Sequence, residues 1–478
     1  MKKFLLVSAA TCMILAAAAQ ATLVSGNSQS FVIKKQPQVS VMSNDNEHYF
    51  VVRTSENPGF AHSLVTVDRS GNVSYAGTMK VNPGTFTNSM EIHSLQVVGN
   101  SLVALMENRD KKAGLNRLIV RLVDNTGTMS IKEEQVGALE YEKMMNPGNW
   151  FVTATPDRKH LAVIGQMPFE KGQQNQYKFF MVDASLKVIQ SGKLSFPDDT
   201  KRMHFQTFAA SNSGDLYLIS DDFDKGYKYP VIYRASTTKP AGTITRMEFR
   251  DAADRLANYV TTIADNGDLV LAGYYKKKRV VTTDNEENNG TFLYNAATGQ
   301  LQTHAFDRPL YNLKARGLVR NGNTQFLVGE QHKTENKGSA PSTPFEYNYL
   351  HQHSDILVSA FDEAGNRKFQ IPLNKNFSAM NADQDLYPAF GIVNGKLAIA
   401  YNDQYGKYFT GTSYTNSKLP VVVFINNDGL MEQPVNFEKE WQVSRNSYTL
   451  YPGWYSNSNG VLVMLSGNGS SLRGVVIK

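Results

Sequence analysis

The sequence predicts an all-β protein, a single β-propeller of eight four-stranded blades, with seven blades as the alternative. Short alternating apolar runs follow one another along the chain and never give way to a long helical period. Turns rich in Gly, Asn and Asp separate these runs, and the same turn patterns return in successive copies. A lone four-stranded sheet cannot bury both faces, so the copies must pack side by side, and a closed ring achieves this.

One complete copy of the repeat lies at residues 388–437. PAFGIVNG and KLAIAY form its first two apolar runs, LPVVVFIN the third, and LMEQPVNF, after an Asn-Asp-Gly turn, the fourth. Each run has the length and alternation of a half-buried strand. This copy therefore defines the blade.

Two kinds of turn recur along the chain. The turn between the third and fourth strands joins Asp or Asn to Gly, as at 68–71, 124–127, 295–299, 362–365 and 427–429. The turn between the first and second strands contains Gly, as at Gly99, Gly214, Gly267 and Gly395. Repeated turn chemistry at matching positions indicates a structural repeat.

These turns place the eight predicted blades at 38–80, 92–138, 150–196, 205–249, 259–306, 315–372, 388–437 and 452–478. The last blade contains only three runs. An unassigned run at 31–35 precedes the first blade, and we expect it to pair with the C-terminal blade and close the ring.

Residues 1–21 have the pattern of a secretory signal peptide. Lys2 and Lys3 precede an apolar run, and Ala19-Gln20-Ala21 is a cleavage site of the small-residue type. A membrane anchor is the alternative, but the run is shorter than the roughly 20 residues that span a bilayer. We expect cleavage after Ala21, a periplasmic or extracellular location, one propeller domain at 22–478 and no membrane span in the mature protein.

Composition excludes several classes of function. Cys12, the only cysteine, lies in the predicted signal peptide, which leaves the mature chain without disulfides or thiolate sites. The 49 basic and 43 acidic residues nearly balance, and only 276–279 forms a basic run. We therefore predict no nucleic-acid partner and no cofactor.

In architecture the chain resembles secreted bacterial β-propellers over nearly all of the mature protein. Residues 294–301, YNAATGQL, look like the turn of quinoprotein-type blades, but the tryptophan that follows in those repeats is absent. The Ser-x-Asp-x-Gly-x-x-Trp box of sialidase-like propellers and the signatures of the WD and kelch classes are also absent. The resemblance implies a fold and no active-site residues.

The candidate binding surface is formed by long connections between second and third strands, at 166–176, 221–229, 274–289, 331–355 and 402–418. In a propeller these connections all leave the same face, where binding residues are common. The candidates on blades 5 to 7 are Tyr274, Tyr275, Lys276, His332, Tyr347, Tyr349, His351, His353, Tyr401, Tyr405 and Tyr408. Tyrosine rings suit both sugars and protein partners.

We therefore expect an exported, non-catalytic binding protein that recognises a glycan or an envelope or extracellular protein. The alternative is a carbohydrate-active or metal-assisted enzyme at the mouth of the central channel, with carboxylates from Asp251, Asp254, Asp383 and Asp385. His351 and His353 would share one side of a strand, with His332 as a third donor. We nevertheless assign no metal site.

Overall fold

The computed structural model describes residues 23–31, 38–55, 60–79, 84–85, 88–142, 146–197, 203–224, 227–251, 253–277, 286–340, 343–380, 387–403, 419–436, 449–467 and 470–478. Within these ranges the strands form eight sheets, and no helix occurs. The all-β class is confirmed, and the number of blades is eight. No described segment is a helix that could cross a membrane.

The first half of the ring contains blades 1 to 4. Before them come β1 (Leu23–Ser25) and β2 (Gln29–Ser30). Blade 1 contains β3 (Gln38–Ser43), β4 (Glu47–Ser55), β5 (Phe60–Asp68) and β6 (Val73–Met79). Blade 2 contains β7 (Gly84–Thr85), β8 (Asn88–Val98), β9 (Ser101–Asp110), β10 (Leu115–Val123) and β11 (Glu134–Glu140). Blade 3 contains β12 (Asn149–Ala154), β13 (His160–Gln166), β14 (Tyr177–Asp183) and β15 (Val188–Leu194). Blade 4 contains β16 (Phe205–Ala210), β17 (Asp215–Asp224), β18 (Tyr227–Ser236) and β19 (Thr243–Arg246).

The second half contains blades 5 to 8. Blade 5 contains β20 (Asp254–Ile263), β21 (Leu269–Lys277), β22 (Glu287–Asn295) and β23 (Gln300–Tyr311). Blade 6 contains β24 (Leu313–Asn321), β25 (Thr324–Ala340), β26 (Thr343–Phe361), β27 (Arg367–Leu373) and β28 (Phe377–Met380). Blade 7 contains β29 (Ala389–Val393), β30 (Lys396–Asp403), β31 (Leu419–Ile425) and β32 (Val435–Asn436). Blade 8 contains β33 (Thr449–Ser458), β34 (Val461–Gly467) and β35 (Ser471–Ile477).

The first strand of each blade lies innermost and forms the wall of the central channel. Strands β3, β8, β12, β16, β20, β24, β29 and β33 contact one another in that order, and β33 contacts β3. Apolar side chains fill the space between neighbouring sheets, as where Phe326 and Val358 of blade 6 pack with Ile399 and Val423 of blade 7. Burying each such side chain contributes about 1.5–3 kcal/mol.

The ring closes through the N-terminal residues, as predicted, and the two strands that close it precede the predicted run at 31–35. β1 pairs with β35 from Leu23↔Ile477 onward, and β2 pairs with the other end of β35 at Gln29↔Leu472. Phe31, the first residue of the predicted run, also donates its N–H to the Ser470 carbonyl. Residues 32–37 lie outside the described part of the chain.

The predicted loop at 331–355 is instead a β-hairpin. β25 and β26 pair from Gln325↔Phe361 outward to Ala340↔Thr343, whereas β24 follows β25 only as far as Gln331. The portion beyond Gln331, residues 332–340 and 343–353, projects from the blade, and we call it the blade-6 arm. β28 pairs with β26 along the base of this arm.

Candidate recognition surface

The two faces of the ring differ in construction. Turns between first and second strands, and between third and fourth strands, lie on one face, which we call the tight-turn face. Connections between second and third strands lie on the other, which carries the blade-6 arm and which we call the arm face. The predicted binding residues belong to the arm face.

Three of the predicted binding tyrosines lie in the core. The exposed fractions of Tyr274, Tyr275 and Tyr401 are 0%, 3% and 0%. β21 continues to Lys277 and β30 to Asp403, so these tyrosines are strand residues rather than loop residues. Their rings pack between blades, and the prediction that they form a binding surface is corrected by that burial.

Tyr274 occupies space that Gly329 leaves open on the neighbouring blade. A Cβ added at Gly329 would lie 1.9 Å from the Tyr274 hydroxyl oxygen, which is closer than any real contact. Burial raises the pKa of Tyr274. This tyrosine therefore joins blade 5 to blade 6.

The remaining aromatic candidates divide into three groups. Tyr349 lies on β26 in the arm and is 40% exposed. Tyr347 is a residue of the same strand, paired with Ser339. Tyr405 and Tyr408 lie outside the described residues. Of the candidate rings, Tyr349 is the one that the described structure exposes on the arm.

The three candidate histidines meet on one face of the arm. His332 pairs with His353, and Thr334 with His351, so alternate residues of both strands share a side. The His332 ring stacks on that of His353 with centroids 4.2 Å apart and on that of His351 at 5.6 Å. Tyr387 meets His332 and His353 edge-on. His353 is fully buried, which makes it part of the arm's base rather than its surface.

This cluster contains no group of three His, Cys, Asp or Glu donors suited to a metal ion among the described residues. His332 Nε2 and His351 Nδ1 lie 3.3 Å apart, and the Thr334 hydroxyl lies 3.3 Å from each of them. The third imidazole is directed to another partner, because Nδ1 of His353 lies 3.0 Å from Oε2 of Glu330.

Glu330 is the centre of a buried ionic cluster at the base of the arm. Its Oε2 accepts a hydrogen bond from Nε of Arg316 at 2.9 Å and lies 2.9 Å from Arg316 Nη2 in an ion pair, and its Oε1 is paired with Lys375. The side chains of Glu330 and Lys375 are fully buried. The Arg316 guanidinium also lies 3.8 Å from the centroid of the Tyr387 ring.

The cations determine the protonation state of this carboxylate. Burial opposes ionisation, but Lys375, then His353 and Arg316, outweigh it and lower the pKa of Glu330 to about 2. Burial also lowers the pKa of Lys375, and Glu330 opposes that shift. The cluster is therefore a compensated charge network that holds β24, β25, β26 and the segment after β27 together.

Blades 2 and 4 carry a buried carboxylate at the position that Glu330 occupies in blade 6. In each of these three blades the register of the first strand shifts at one residue, at 93, 206 and 316. On the second strand, the residue that pairs immediately before this shift is Met106, Ser220 or Gly329. The next residue along that strand is the carboxylate: Glu107 in blade 2, Asp221 in blade 4 and Glu330 in blade 6. Their partners include Arg109, Lys228 and Arg316 respectively.

Sequence reasoning missed these three carboxylates, although a signal is present. In LMENR, LISDD and LVGEQ an acidic residue ends the apolar run of a second strand. An acidic residue at the end of a buried strand, repeated in alternate blades, predicts a buried charge that needs a cation.

The exposed side of the arm carries alternating charges. Glu335 Oε1 lies 3.0 Å from Lys333 Nζ, and Oε2 lies 2.6 Å from Lys337 Nζ. Hydrogen bonds from Lys337 and Lys333 lower the pKa of Glu335 to about 2. The last candidate, Lys276, is half-exposed on blade 5, where its Nζ lies 3.4 Å from Glu286.

The carboxylates of the enzyme alternative are only partly described. Asp254 is buried, and burial followed by the nearby Asp251 raises the pKa of its carboxyl. The two residues belong to one local turn, in which Asp254 N–H donates to the Asp251 carbonyl. Asp383 and Asp385 lie outside the described residues.

Comparison with known proteins finds distant structural similarities and no family. No family model matches the sequence, and no curated protein matches it. The β-propeller domain of the Trilobed protease from Pyrococcus furiosus is 8% identical and aligns over 84% of this chain and 96% of its own, with a TM-score of 0.38. The WD40 domain of SCAP from fission yeast is 9% identical, with 95% and 98% covered and a TM-score of 0.35. The α-L-arabinofuranosidase Arb93A from Fusarium graminearum is 9% identical, with 65% and 92% covered and a TM-score of 0.35. These scores carry no inference about activity.

Proposed function

We propose that this chain is an exported, non-catalytic recognition protein whose blade-6 arm binds a partner protein. The observation that carries the proposal is the length of the arm. β25 and β26 contain 17 and 19 residues, whereas the longest other described strand contains 12. At about 3.3 Å per residue, residues 332–340 extend roughly 30 Å from the blade.

The base of the arm is built to hold it in one orientation. Glu330 ties Arg316, His353 and Lys375 together, and the stacked rings of His332 and His353 continue that support outward. A segment that is ordered before it binds loses less entropy on association. The buried cluster therefore favours an arm that is preorganised for a partner.

The edge of the arm suits an extended polypeptide. The His332 N–H still donates to the Asn312 carbonyl, but beyond His332 β25 pairs only with β26 among the described strands, which leaves the outer backbone edge of that part available for strand addition. Lys333, Glu335 and Lys337 line that strand, and such charges discourage unspecific edge pairing. A partner would be selected by its own alternating charges.

A protein partner fits this surface better than a glycan does. Sugar binding relies on exposed aromatic platforms, and Tyr274, Tyr275 and Tyr401 are buried. We propose no catalytic function, because Glu107 and Glu330 are each paired with a cation and Asp254 lies in one local turn with Asp251.

The test is an arm-shortened variant in which residues 333–352 are replaced by Asn-Gly. His332 and His353 are paired, so a two-residue turn can join them and leave the Glu330 cluster intact. Wild type and variant serve as baits for envelope and culture-medium proteins, and each captured protein is then purified and its affinity measured. We expect the variant to lose at least about tenfold in affinity, the scale of a binding hot spot, with an unchanged melting temperature.

The matched control shortens the β17–β18 hairpin of blade 4 on the same face, which should leave binding unchanged. Equal affinity of the arm-shortened protein would contradict the proposal. Saturable binding to a glycan array that survives loss of the arm would replace the protein partner with a sugar. N-terminal sequencing of the exported protein, expected to begin at Thr22, checks the export.

A further inference from the structure

The channel end on the tight-turn face contains a cavity of about 310 Å³. Its walls come from the first strands of blades 1, 2 and 8 and from the end of the first strand of blade 3 with the turn that follows it. This cavity lies at the opposite end of the channel from the blade-6 arm. Its volume suffices for a small organic acid or the end of a peptide.

One lining residue, Arg158, has a backbone conformation that is unusual for its type. It lies in the turn between β12 and β13 with a φ of 56°. The corresponding turns of six other blades place a glycine with positive φ there: Gly99, Gly214, Gly267, Gly322, Gly395 and Gly460. A non-glycine residue in this region is strained, and such strain is concentrated at functional sites.

The Arg158 side chain crosses the channel. Its Nη2 lies 3.4 Å from the Ser43 hydroxyl of blade 1 and 3.3 Å from the Ser458 hydroxyl of blade 8. Both distances exceed the usual range of about 2.7–3.2 Å for N–H···O hydrogen bonds. Among the described residues no carboxylate pairs with this guanidinium.

Among the other polar residues that line the cavity are Gln96, Thr155, Asn457 and Ser456, and the Ser456 hydroxyl is positioned by a histidine behind it. Ser456 lines the cavity, and its Oγ lies 2.9 Å from Nδ1 of the buried His48. Burial, then Arg69 and Arg158, lower the pKa of His48 to about 4, so the imidazole is neutral at pH 7. Arg158 is therefore the one charged residue among the described residues that line the cavity.

We propose that this channel end is a binding site for a single carboxylate group, held by Arg158 with the hydroxyls of Ser43, Ser456 and Ser458. A guanidinium binds a carboxylate through two parallel N–H···O bonds, and serine hydroxyls donate to the same oxygens. One cation matches one negative charge, which disfavours a phosphate dianion. This inference does not depend on the function proposed for the arm.

The experiment measures binding to the purified protein by calorimetry with four probes. They are an N-acetylated dipeptide with a free C-terminal carboxylate, the same dipeptide as its C-terminal amide, glucuronate, and inorganic phosphate. We expect the free acid, glucuronate or both to bind, and the amide to bind at least about tenfold more weakly, since a charge-assisted hydrogen bond is lost. Binding of the dipeptide acid indicates a peptide end as ligand, and binding of glucuronate alone indicates a sugar acid.

Arg158→Gly gives the decisive variant because six of the seven other blades have a glycine with positive φ in the corresponding turn. It should abolish carboxylate binding without lowering the melting temperature, since the strained φ is relieved. Lys159→Gly is the matched control: it removes a positive charge from the same turn, where Lys159 is 75% exposed, and should leave binding unchanged. Equal binding of acid and amide, preference for phosphate, no binding of either acid, or full binding by Arg158→Gly would each overturn the proposal.

Discussion

The two faces of the ring differ in whether a charged side chain that is removed from solvent has a partner of opposite charge. On the arm face the Glu330 carboxylate is fully buried and contacts Arg316, His353 and Lys375. On the tight-turn face the Arg158 guanidinium is half-buried, and among the described residues its hydrogen bonds go to the hydroxyls of Ser43 and Ser458. A compensated buried network holds strands together, whereas a cation without a counter-charge is ready for an external anion. Burial of charge therefore has a structural role on one face and, in our proposal, a binding role on the other.

Removing the compensated charge should give the largest effect. Glu330→Gln leaves the buried Lys375 and the guanidinium of Arg316 without their carboxylate, and breaking a buried ion pair in this way costs about 3–5 kcal/mol. Urea unfolding of the variant should show this loss of unfolding free energy. Glu335→Gln, which breaks only exposed pairs of the arm, should leave it nearly unchanged, because solvent screens exposed ion pairs. Similar losses in both variants would remove the distinction between buried and exposed charge on this face.

The packing of Tyr274 against Gly329 predicts an intermediate effect. Gly329→Ala forces a methyl group onto the tyrosine hydroxyl, and overpacking of this kind costs about 1–3 kcal/mol. Tyr274→Phe removes the obstructing oxygen, so the double variant should recover much of that loss in a double-mutant cycle. If the losses of unfolding free energy in the two single variants simply add, the two residues do not contact each other. The predicted binding role of Tyr274 would then be open again.

A smaller effect, visible only through pH, separates the two faces. The folded-state pKa of His48 is about 4, below its ordinary 6.5, so between these values the unfolded chain takes up a proton that the folded protein does not. Because of this proton uptake by unfolded His48, the free energy of unfolding falls as the pH drops from 6.5 to 4. The pKa of Glu330 is about 2, below its ordinary 4.5, so its contribution is lost as the pH drops from 4.5 to 2.

Melting temperatures measured from pH 6.5 to 4, the upper window, and from pH 4.5 to 2, the lower window, test these two assignments. His48→Gln should reduce the slope of melting temperature against pH in the upper window and leave the lower window steep. Glu330→Gln should reduce the slope in the lower window, where Glu335, with a pKa of about 2, leaves some slope. His62, whose pKa burial and Arg53 lower to about 4, leaves some slope in the upper window of the His48 variant. An unchanged upper window in His48→Gln would contradict the role given to His48.

Much of the fold follows from the sequence because turn chemistry and strand alternation are local. Gly395 and the Asn-Asp-Gly turn at 427–429 mark the blade-7 turns whether or not the neighbouring blades are known. The sequence also predicts that the ring closes through the N-terminal residues, because the last blade lacks one strand. The exact closing segment was not, because Leu23–Ser25 and the run at 31–35 have similar strand character and only the pairing with β35 distinguishes them.

The site was less accessible to sequence reasoning, since its properties depend on neighbours in space. Whether Tyr274 faces solvent is decided by Gly329 on the next blade, which no local pattern reveals. The length of the arm was visible as an insertion at 331–355, but its strand pairing was not. Arg158 can be singled out in the sequence only by aligning the turns between first and second strands, because six other blades have glycine in that turn.

The pairing of β1 with β35 joins residues at opposite ends of the sequence, Leu23 and Ile477. As a chain leaves a ribosome or a translocon, every other sheet can assemble from neighbours that have just emerged, but this one must wait for the last strand. Until then the outer edge of blade 8 has no cover, and the ring remains a crescent whose two ends are exposed. The step most exposed to misassembly is thus the pairing of β1 with β35 rather than the folding of any single blade.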